Sequence, residues 1–311
     1  MSASETRKLL FSIASYDYLA PELAAAAAFE RGAVERKLFP DGERYLRLLD
    51  DPWGRDVVLL GGTPGEHDWL ELFDLGCAIS RAGARTLSLV MPYFGYSTME
   101  RASRPGEVVT AKTRARLISA IPPCQAGTRI FLLDLHTEGI ELYFGDAHVT
   151  HHVWAAPVLA AAIARAAQDR PYVLGATDAG RAKWVERLAR RLGAEPAFVY
   201  KRRDPASGEL AVTGINADVS GKVVIVYDDM IRTGSSLLQA ARAYRDGGAS
   251  ELHAVASHLV LPDGALDALY GSGLLTSVSG TSSHPRSLQL AQRGGHVVSV
   301  AALLAGAVEH R

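Results

Sequence analysis

Cysteine is scarce in this chain of 311 residues, and a long apolar run is missing. The two cysteines, Cys77 and Cys124, form neither a CxxC pair nor a metal-finger spacing, which argues against a disulfide and indicates a reducing compartment. No run is long enough to span a bilayer, and the N-terminal stretch MSASETRKLLFSIAS lacks a cleavage pattern. We therefore expect a cytoplasmic protein with no membrane partner.

An excess of one charge is also absent. Lysine and arginine number 33 against 34 acidic residues, so the formal net charge is -1. A general nucleic-acid binder presents a basic surface, so we expect no nucleic-acid partner, although a local cationic loop is compatible with this balance. Hydrophobic residues make up 48% of the chain, enough for a substantial interior, and the length suits two domains or one large α/β domain.

Apolar runs of strand length alternate with helical patterns along the chain. Several runs are apolar throughout, as expected when helices cover both faces of a parallel sheet. The alanine-rich tracts at 24–28 and 155–167 are predicted as helices. The strand-like runs are LLFSIAS, DVVLLGG, TLSLVMPYF, RIFLLDLH, YVLGATD, PAFVYKRR, KVVIVYDD, LHAVASHLVL, LTSVSGT and HVVSVAALLA. This alternation predicts an α/β protein with parallel sheets.

The two halves of the chain follow a similar plan. Each half contains a strand that ends in an acidic cluster, LLDLH in the first and VVIVYDD in the second. We predict a boundary near "HVTHHVWAAP", which divides the chain into domains 1–150 and 151–311. The sequence leaves open whether the last 15 or so residues return to the first domain.

The stretch "VVIVYDDMIRTGSSLLQAARAY" at 223–244 has two adjacent carboxylates at the end of an apolar run. Asp228 and Asp229 would repel each other unless a cation or several donors lie nearby. The carboxyl edge of a parallel sheet is where open α/β proteins bind ligands, so we expect both acids to accept hydrogen bonds from the vicinal hydroxyls of a sugar.

The turn that follows the acids has the composition of a phosphate site. Glycine lets the backbone approach a ligand, hydroxyl groups donate, and consecutive amides at a helix start attract an anion. Together with the sugar hydroxyls at the acids, this turn fits ribose 5-phosphate. The predicted ligands of its phosphate group are Arg232, Thr233, Gly234, Ser235 and Ser236. Two other phosphate loops, GxxxxGK[ST] and GxGxxG after a strand, are absent. The alternative is that Asp229 or Ser235 simply caps the helix.

The same stretch resembles the ribose 5-phosphate loop of ribose-phosphate pyrophosphokinases, the PRPP synthetases. Phosphoribosyltransferases share this loop type, so the stretch alone indicates a phosphoribosyl binder. The resemblance implies two phosphoribosyltransferase-like α/β domains, each a mainly parallel sheet flanked by helices.

"KLFPDGERYLRL" at 37–48 resembles the element of this family that reaches the nucleotide. The resemblance implies that Phe39 contacts the adenine and that Asp41 and Glu43 line its pocket. Without the family, the segment is a Pro-Asp-Gly turn between two strands.

The segment 91–122 departs from the main class of the family, because Thr98, Met99 and Glu100 replace an Arg-Gln-Asp triplet that contacts ATP. The surrounding residues resemble the class II, plant-type enzymes, which also lack the triplet. We expect Thr98, Glu100 and Arg101 to contact the nucleotide. Class II membership implies a broader choice of diphosphoryl donor and no regulation by ADP or phosphate.

Two further elements suggest a divalent metal. "RIFLLDLHTEGIELYFGD" resembles the Asp-Leu-His element of the family, and its His136 is the expected Mg²⁺ ligand. "GATDAGRAKW" resembles the Pro-Asp-x-Gly element, with Thr177 in place of proline, and implies Asp178 as the second ligand. Mg²⁺ prefers oxygen ligands, so the resemblance supports His136 more than the general rule does.

"FVYKRRDPASGEL" at 198–210 resembles the loop that closes over the transferring group in this family. The resemblance implies that Lys201 and Arg203 stabilise the transition state. An exposed charged loop or an RNA contact is the alternative.

The resemblance as a whole implies a diphosphoryl transfer. ATP, or another nucleoside triphosphate, would give its β,γ-diphosphate to the 1-hydroxyl of ribose 5-phosphate, producing PRPP and AMP with Mg²⁺. It also implies a homo-oligomer whose active sites need a neighbouring subunit. The alternatives are a phosphoribosyltransferase that consumes PRPP and a catalytically silent regulatory homologue.

Overall fold

The computed structural model describes residues 7–203 and 210–310, without the side chains of 179, 201–203 and 210–213. The chain divides into two compact units. One is Met1–Trp154 together with Val300–Arg311, and the other is Ala155–Ser299. The boundary predicted from the sequence lay at 150, and the C-terminal residues left open there belong to the first unit.

The first unit contains a parallel six-stranded sheet and an antiparallel hairpin. Its strands are β1 (Leu9–Ser12), β2 (Glu30–Arg31), β3 (Val34–Leu38), β4 (Arg44–Leu48), β5 (Asp56–Leu60), β6 (Thr86–Met91), β7 (Thr128–Leu133) and β8 (His148–Val153). The strand order in the sheet is β2-β1-β5-β6-β7-β8, and β3 pairs with β4. Its helices are α1 (Ala20–Ala26), α2 (Glu66–Arg81) and α3 (Thr110–Ser119).

The second unit repeats this plan. Its strands are β9 (Tyr172–Ala176), β10 (Glu195–Ala197), β11 (Val199–Arg203), β12 (Leu210–Ile215), β13 (Val223–Ile231), β14 (Glu251–Leu259), β15 (Ser277–Thr281) and β16 (His296–Val298). Its helices are α4 (Ala156–Ala167), α5 (Ala182–Leu192), α6 (Ser235–Asp246), α7 (Ala265–Gly271) and α8 (Ser287–Gln292). The parallel sheet has the order β10-β9-β13-β14-β15-β16, and β11 pairs with β12.

Both sheets therefore place the strand that follows the hairpin, β5 or β13, third from one edge. In each unit these central strands are buried along nearly their whole length, which explains their uniformly apolar sequences. The helical face of α2 that includes Leu72, Leu75 and Ile79 is fully buried. The predicted fold class, two parallel α/β domains flanked by helices, is confirmed.

Several predicted strands were wrong in detail. PAFVYKRR contains two strands in different sheets, β10 at the sheet edge and β11 in the hairpin. HVVSVAALLA gives only the short strand β16, and its alanine-rich end forms α9 (Ala301–Glu309), because alanine and leucine favour a helix. Helix α1 ends before the alanine tract does, and Ala28 has φ of 52°. Strand β8, which covers the predicted boundary, was missed.

The last helix, α9, packs against α1 and β7 of the first unit. Leu304, Ala305 and Val308 are buried on its inner side, and Lys8 donates to the carbonyl of Val308 and to the carboxylate of Glu309. None of the helices in the described part of the chain is long and apolar enough to cross a membrane.

Candidate active site

The acidic pair lies inside β13, which continues to Ile231, and not at the end of the strand as the sequence suggested. Strand β13 pairs with β9 as far as Tyr227 but continues beside β14 to Ile231. Asp228 and Asp229 therefore stand just past the end of β9, where one neighbouring strand has stopped. The open position gives both acids access to the carboxyl edge of the sheet, the edge at which ligands bind in such folds.

Arg181 supplies the cation that the acidic pair requires. Its Nη2 lies 2.8 Å from Oδ2 of Asp229, and its Nε lies 3.7 Å from Oδ1 of Asp228. The three side chains are between 7% and 16% exposed, so solvent screens their charges weakly. Arg181 lies in the GATDAGRAKW segment and was not among the predicted site residues.

The two acids are not equivalent. Burial, and then the neighbouring charge of Asp229, raise the pKa of Asp228 to about 8, although Arg181 and Thr177 oppose the shift. Thr177 Oγ1 donates to Asp228 Oδ2 at 3.1 Å, and the Asp229 backbone N–H donates to Asp228 Oδ1 at 2.9 Å. A proline at 177 could not donate the first of these hydrogen bonds. The departure from the family pattern therefore supplies a contact to the acidic pair.

Asp178 organises the turn that carries Arg181. Its Oδ1 accepts the backbone N–H groups of Gly180 at 2.8 Å and Arg181 at 3.3 Å. In the part of the chain that is described, its Oδ2 makes no hydrogen bond. Asp178 lies after the end of β9, in the same unit as the acidic pair.

The loop after β13 surrounds a cavity of about 470 Å³. The cavity is lined by Asp228, residues 230–237, Val260 and Pro262, which include all five predicted phosphate ligands. Arg232, Thr233, Ser235 and Ser236 are exposed, and Arg232 makes no ion pair with any described residue. The first turn of α6 presents N–H groups that lack acceptors within the helix, so donors and positive charge converge on this cavity.

Gly234 is required at its position for two reasons. Its φ is +81°, a left-handed conformation that other residues adopt at a cost, and a Cβ would lie 2.6 Å from Cδ2 of Leu269. Gly234 is also the N-cap of α6, which has no side-chain cap hydrogen bond. The alternative that Asp229 or Ser235 caps this helix is therefore wrong.

The predicted adenine contacts lie at the turn of the β3–β4 hairpin. The Phe39 N–H donates to Glu43 O at 2.8 Å, and Asp41 Oδ1 accepts the Glu43 N–H at 3.0 Å. Gly42 takes φ of 93°, so the predicted Pro-Asp-Gly turn between strands is present. Phe39 is 45% exposed and its ring lies edge-on to Tyr45. The nucleotide roles of Phe39, Asp41 and Glu43 stay predictions.

A buried carboxylate anchors this hairpin within the first unit. Glu71 of α2, 5% exposed, accepts from Arg36 Nε of β3 at 2.7 Å and from the Ala14 N–H at 3.0 Å. Arg44 of β4 lies 4.0 Å from its other oxygen. Ionic contacts thus hold both strands of the hairpin to α2, while its tip is exposed.

The segment that replaces the ATP triplet lies on the surface of the first unit. Thr98 is exposed, Arg101 is 82% exposed, and Arg101 Nε lies 3.6 Å from Oε1 of Glu100. Tyr143 donates its hydroxyl to the carbonyl of Glu100 and so fixes the backbone there. These positions leave Thr98 and Arg101 accessible to a ligand, and their contact with a nucleotide stays a prediction.

His136 follows β7 at the carboxyl edge of the first sheet, just after the buried Asp134, whose φ is 38°. It belongs to the first unit and Asp178 to the second, so the predicted metal pair stays a prediction. Among the described residues, no group of three or more His, Cys, Asp or Glu side chains is arranged to hold a metal ion.

The backbone of Lys201 and Arg203 lies in β11, where Lys201 is opposite Val212 of β12. Their side chains, and the segment 204–209 predicted to close over the transferring group, lie outside the described residues. The catalytic role of both cations stays a prediction.

Two residues that contact the acids, Arg181 and Thr177, were missed as site residues. The need for a cation was readable from the adjacent acids, but its identity was not, because Arg181 is distant from Asp228 in sequence. Pairing of β9 beside β13 brings the two segments together.

Comparison with known proteins relates both units to one family. A family model described as the N-terminal domain of ribose phosphate pyrophosphokinase matches residues 8–121, and one described as a phosphoribosyl synthetase-associated domain matches residues 189–310. The ribose-phosphate pyrophosphokinase of Synechococcus elongatus is 33% identical, with 90% of this chain and 83% of that protein covered. The chloroplastic ribose-phosphate pyrophosphokinase 2 of rice (Oryza sativa subsp. japonica) is 32% identical, with 90% and 69% covered.

A solved structure gives the same relationship. The crystal structure of phosphoribosylpyrophosphate synthetase from Mycobacterium smegmatis superposes with a TM-score of 0.84 at 28% identity, and 98% of each chain is covered. Similarity therefore extends over both units in sequence and in fold. The chain belongs to the ribose-phosphate pyrophosphokinase family.

Proposed function

We propose that this chain transfers the β,γ-diphosphate of ATP, or of another nucleoside triphosphate, to the 1-hydroxyl of ribose 5-phosphate, which gives PRPP and AMP. One observation carries the proposal: a donor-rich cavity and a buried acidic pair lie next to each other on β13 and the loop after it. A sugar that carries hydroxyls and a terminal phosphate matches this combination. Family membership supplies the reaction.

Ribose 5-phosphate would bind with its phosphate in the loop and its vicinal hydroxyls at Asp228 and Asp229. The hydroxyls of Thr233, Ser235 and Ser236 and the guanidinium of Arg232 would donate to the phosphate oxygens. In this orientation the sugar's 1-hydroxyl would point away from the loop that binds the phosphate.

Asp178 suits a Mg²⁺ ligand, because Oδ1 is used by the turn and Oδ2 makes no hydrogen bond within the described residues. Mg²⁺ is commonly held by one or two carboxylates, several waters and substrate phosphates, so a full cage of protein ligands is not required. We propose Asp178 and His136 as its ligands. When bound, the ion neutralises the non-bridging oxygens of the triphosphate.

Lys201 and Arg203 are proposed to stabilise charge on the transferring diphosphoryl group. The reaction brings a triphosphate close to a phosphate ester, so its main demand is positive charge at the right place. Removal of one such cation in a phosphoryl-transfer site lowers the rate by roughly 10²- to 10⁴-fold.

We further propose that the nucleotide contacts Phe39, Asp41 and Glu43 together with Thr98, Glu100 and Arg101, and that the chain is of the class II type. The support is the Thr98-Met99-Glu100 sequence in place of the ATP triplet. Bacterial and plant relatives are almost equally identical to this chain, at 33% and 32%, so overall identity does not separate the classes.

We also propose a homo-oligomer in which the hairpin tip serves a neighbouring copy. Leu38 is 71% exposed and Phe39 is 45% exposed, an unusual pair of apolar side chains for a free hairpin tip.

The proposed function is tested with ribose 5-phosphate, Mg²⁺ and ATP, by following AMP and PRPP together. We expect equal amounts of both products, activity with GTP or CTP in place of ATP, and a rate lowered roughly 10²- to 10⁴-fold in Lys201→Ala. Arg190→Ala is the matched control, since Arg190 is 78% exposed and pairs only with Glu186 in the described structure.

Three outcomes would contradict the proposal. Consumption of PRPP with a nucleobase, and no synthesis, would indicate a phosphoribosyltransferase. Binding of ribose 5-phosphate without turnover would indicate a silent homologue. Full activity of Lys201→Ala would remove the catalytic assignment of that residue.

A further inference from the structure

Two adjacent, largely buried carboxylates on one strand need positive charge before a substrate that carries a phosphate dianion can bind beside them. A divalent cation could meet this need, as it does in many acidic phosphate sites. The structure instead places the guanidinium of Arg181 on the pair, with Nη2 2.8 Å from Asp229 Oδ2.

We propose that Arg181 is the resident cation of the ribose site, so that Asp228 and Asp229 bind the sugar hydroxyls without a divalent ion. The inference rests on the proposed function of this loop. Arg181 is a positioning residue: it acts on the substrate through the two carboxylates. The Mg²⁺ proposed above would bind separately, at Asp178 and the triphosphate.

Arg181 contacts the two acids at different distances. Asp229 has a hydrogen-bonded ion pair of ordinary length and is 7% exposed, so Arg181 fixes both its charge and its orientation. At 3.7 Å the contact with Asp228 is electrostatic and is longer than a hydrogen bond. Asp228 is 16% exposed and lines the cavity, which makes it the more accessible of the two carboxylates to the sugar.

Arg181 is held in place from both sides. On its N-terminal side, Asp178 Oδ1 accepts the Gly180 and Arg181 N–H groups and so shapes the turn. On its C-terminal side, Trp184 stacks on Tyr227 of β13 with ring centroids 4.9 Å apart and an interplanar angle of 12°. The backbone that carries the guanidinium is therefore held in place before the substrate binds. Less conformational entropy is then lost on binding.

The charges of the described site also favour this role. Arg181 offsets one of the two acids, and Arg232, which makes no ion pair within the described residues, faces the phosphate cavity. A divalent ion placed on the pair would compete with Arg181 for Asp229 Oδ2 and with Thr177 for Asp228 Oδ2. Oxygens that already accept from protein donors are poor additional ligands for a metal that demands near-ideal geometry.

The test is calorimetric titration of the full-length chain with ribose 5-phosphate, in EDTA and again in Mg²⁺, without nucleotide. We expect the wild-type Kd to change by less than about threefold between the two conditions. In Arg181→Met, which keeps length and removes charge, we expect binding in EDTA to weaken about 30-fold or more, with partial recovery in Mg²⁺. Arg181→Lys, which keeps the charge, should bind within about tenfold of wild type in EDTA.

Arg190→Met is the control for loss of an arginine from α5, the helix that follows Arg181, and we expect it to bind as wild type does. Wild-type binding that disappears in EDTA would overturn the inference, as would wild-type affinity of Arg181→Met. The wild-type comparison decides the question even if Arg181→Met does not fold. Absence of ribose 5-phosphate binding in both conditions would instead refute the proposed function, and this inference with it.

Discussion

Gly234 contributes both to the packing of the second unit and to the shape of the candidate site. Its left-handed φ of +81° turns the chain from β13 into α6, and its missing Cβ leaves room for Leu269 of α7. The same turn places Thr233, Ser235 and Ser236 in the lining of the cavity. A side chain at this position therefore disturbs both the loop conformation and the packing under it.

Replacement of Gly234 by alanine should weaken ribose 5-phosphate binding by at least tenfold and lower the free energy of unfolding by about 1–3 kcal/mol, through left-handed strain plus the contact with Leu269. Titration calorimetry and urea denaturation measure the two effects. Gly221→Ala is the matched control: its φ is +68°, and a Cβ there meets nothing within 4 Å. If both variants lose the same stability and neither loses binding, the packing argument fails.

At the scale of elements, a buried carboxylate of α2 contacts both strands of the β3–β4 hairpin. Glu71 accepts hydrogen bonds from the Ala14 backbone and from Arg36, and Arg44 approaches its second oxygen. Loss of a buried ionised partner leaves the opposite charge without compensation, which is costly. Glu71 therefore supports the hairpin together with Asp17 and the Ser12 carbonyl, which also contact Arg36.

We expect Glu71→Gln to lower the free energy of unfolding by about 1–3 kcal/mol, because the neutral amide weakens the contacts with both arginines. The KM for ATP should rise. The affinity for ribose 5-phosphate should stay unchanged, because the residues proposed to bind it lie in the second unit. Glu35→Gln is the control, since Glu35 forms exposed pairs with Lys37 and Arg47 in the same hairpin. A parallel loss of ribose 5-phosphate affinity would contradict the assignment of the hairpin to the nucleotide.

Glycines in and near the loop after β5 of the first unit also pack closely against their neighbours, as Gly234 does in the loop after β13. In the first unit, a Cβ on Gly62 would lie 2.1 Å from the Tyr16 hydroxyl, and one on Gly95 would lie 2.2 Å from the Thr63 carbonyl. Thr63 Oγ1 also accepts the Gly95 N–H at 2.8 Å. Side chains and backbone of the first unit thus fill the space next to the loop after β5.

At the scale of the whole molecule, each unit has its own buried core, and the C-terminal helix belongs to the first. Leu304 of α9 is fully buried. Leu304→Ala should cost about 2–5 kcal/mol, because a large buried side chain is replaced by a cavity. Hydrogen exchange should show faster exchange in β1 and β7, with β13 and β14 unchanged, since the lost contacts lie within the first unit.

Leu288→Ala is the control for this experiment, because Leu288 lies in α8 of the second unit and is 47% exposed. It should leave exchange in both units close to wild type. Equal loss of protection in β7 and β13 of Leu304→Ala would mean that the two units unfold together, contrary to the expectation.

Local chemistry made much of this protein predictable from sequence. Uniformly apolar strands such as VVIVY, the alternation with helices, and the Thr-Gly-Ser-Ser turn each depend on neighbouring residues, so the α/β class and the family could be inferred, while phosphate binding at this turn stays a prediction. The Pro-Asp-Gly turn at Gly42 followed in the same way, because a tight turn needs only its own few residues.

Contacts between segments far apart in sequence needed the tertiary structure. The arginine that neutralises Asp229 and the hydroxyl of Thr177 on Asp228 depend on how β9 pairs with β13. The position of the acids inside β13 depends on the pairing of β13 with β14. The place of α9 depends on the packing of its buried face against α1. Sequence spacing carries no information on such pairs, because a charge or an apolar face specifies the kind of partner it needs and not its location along the chain.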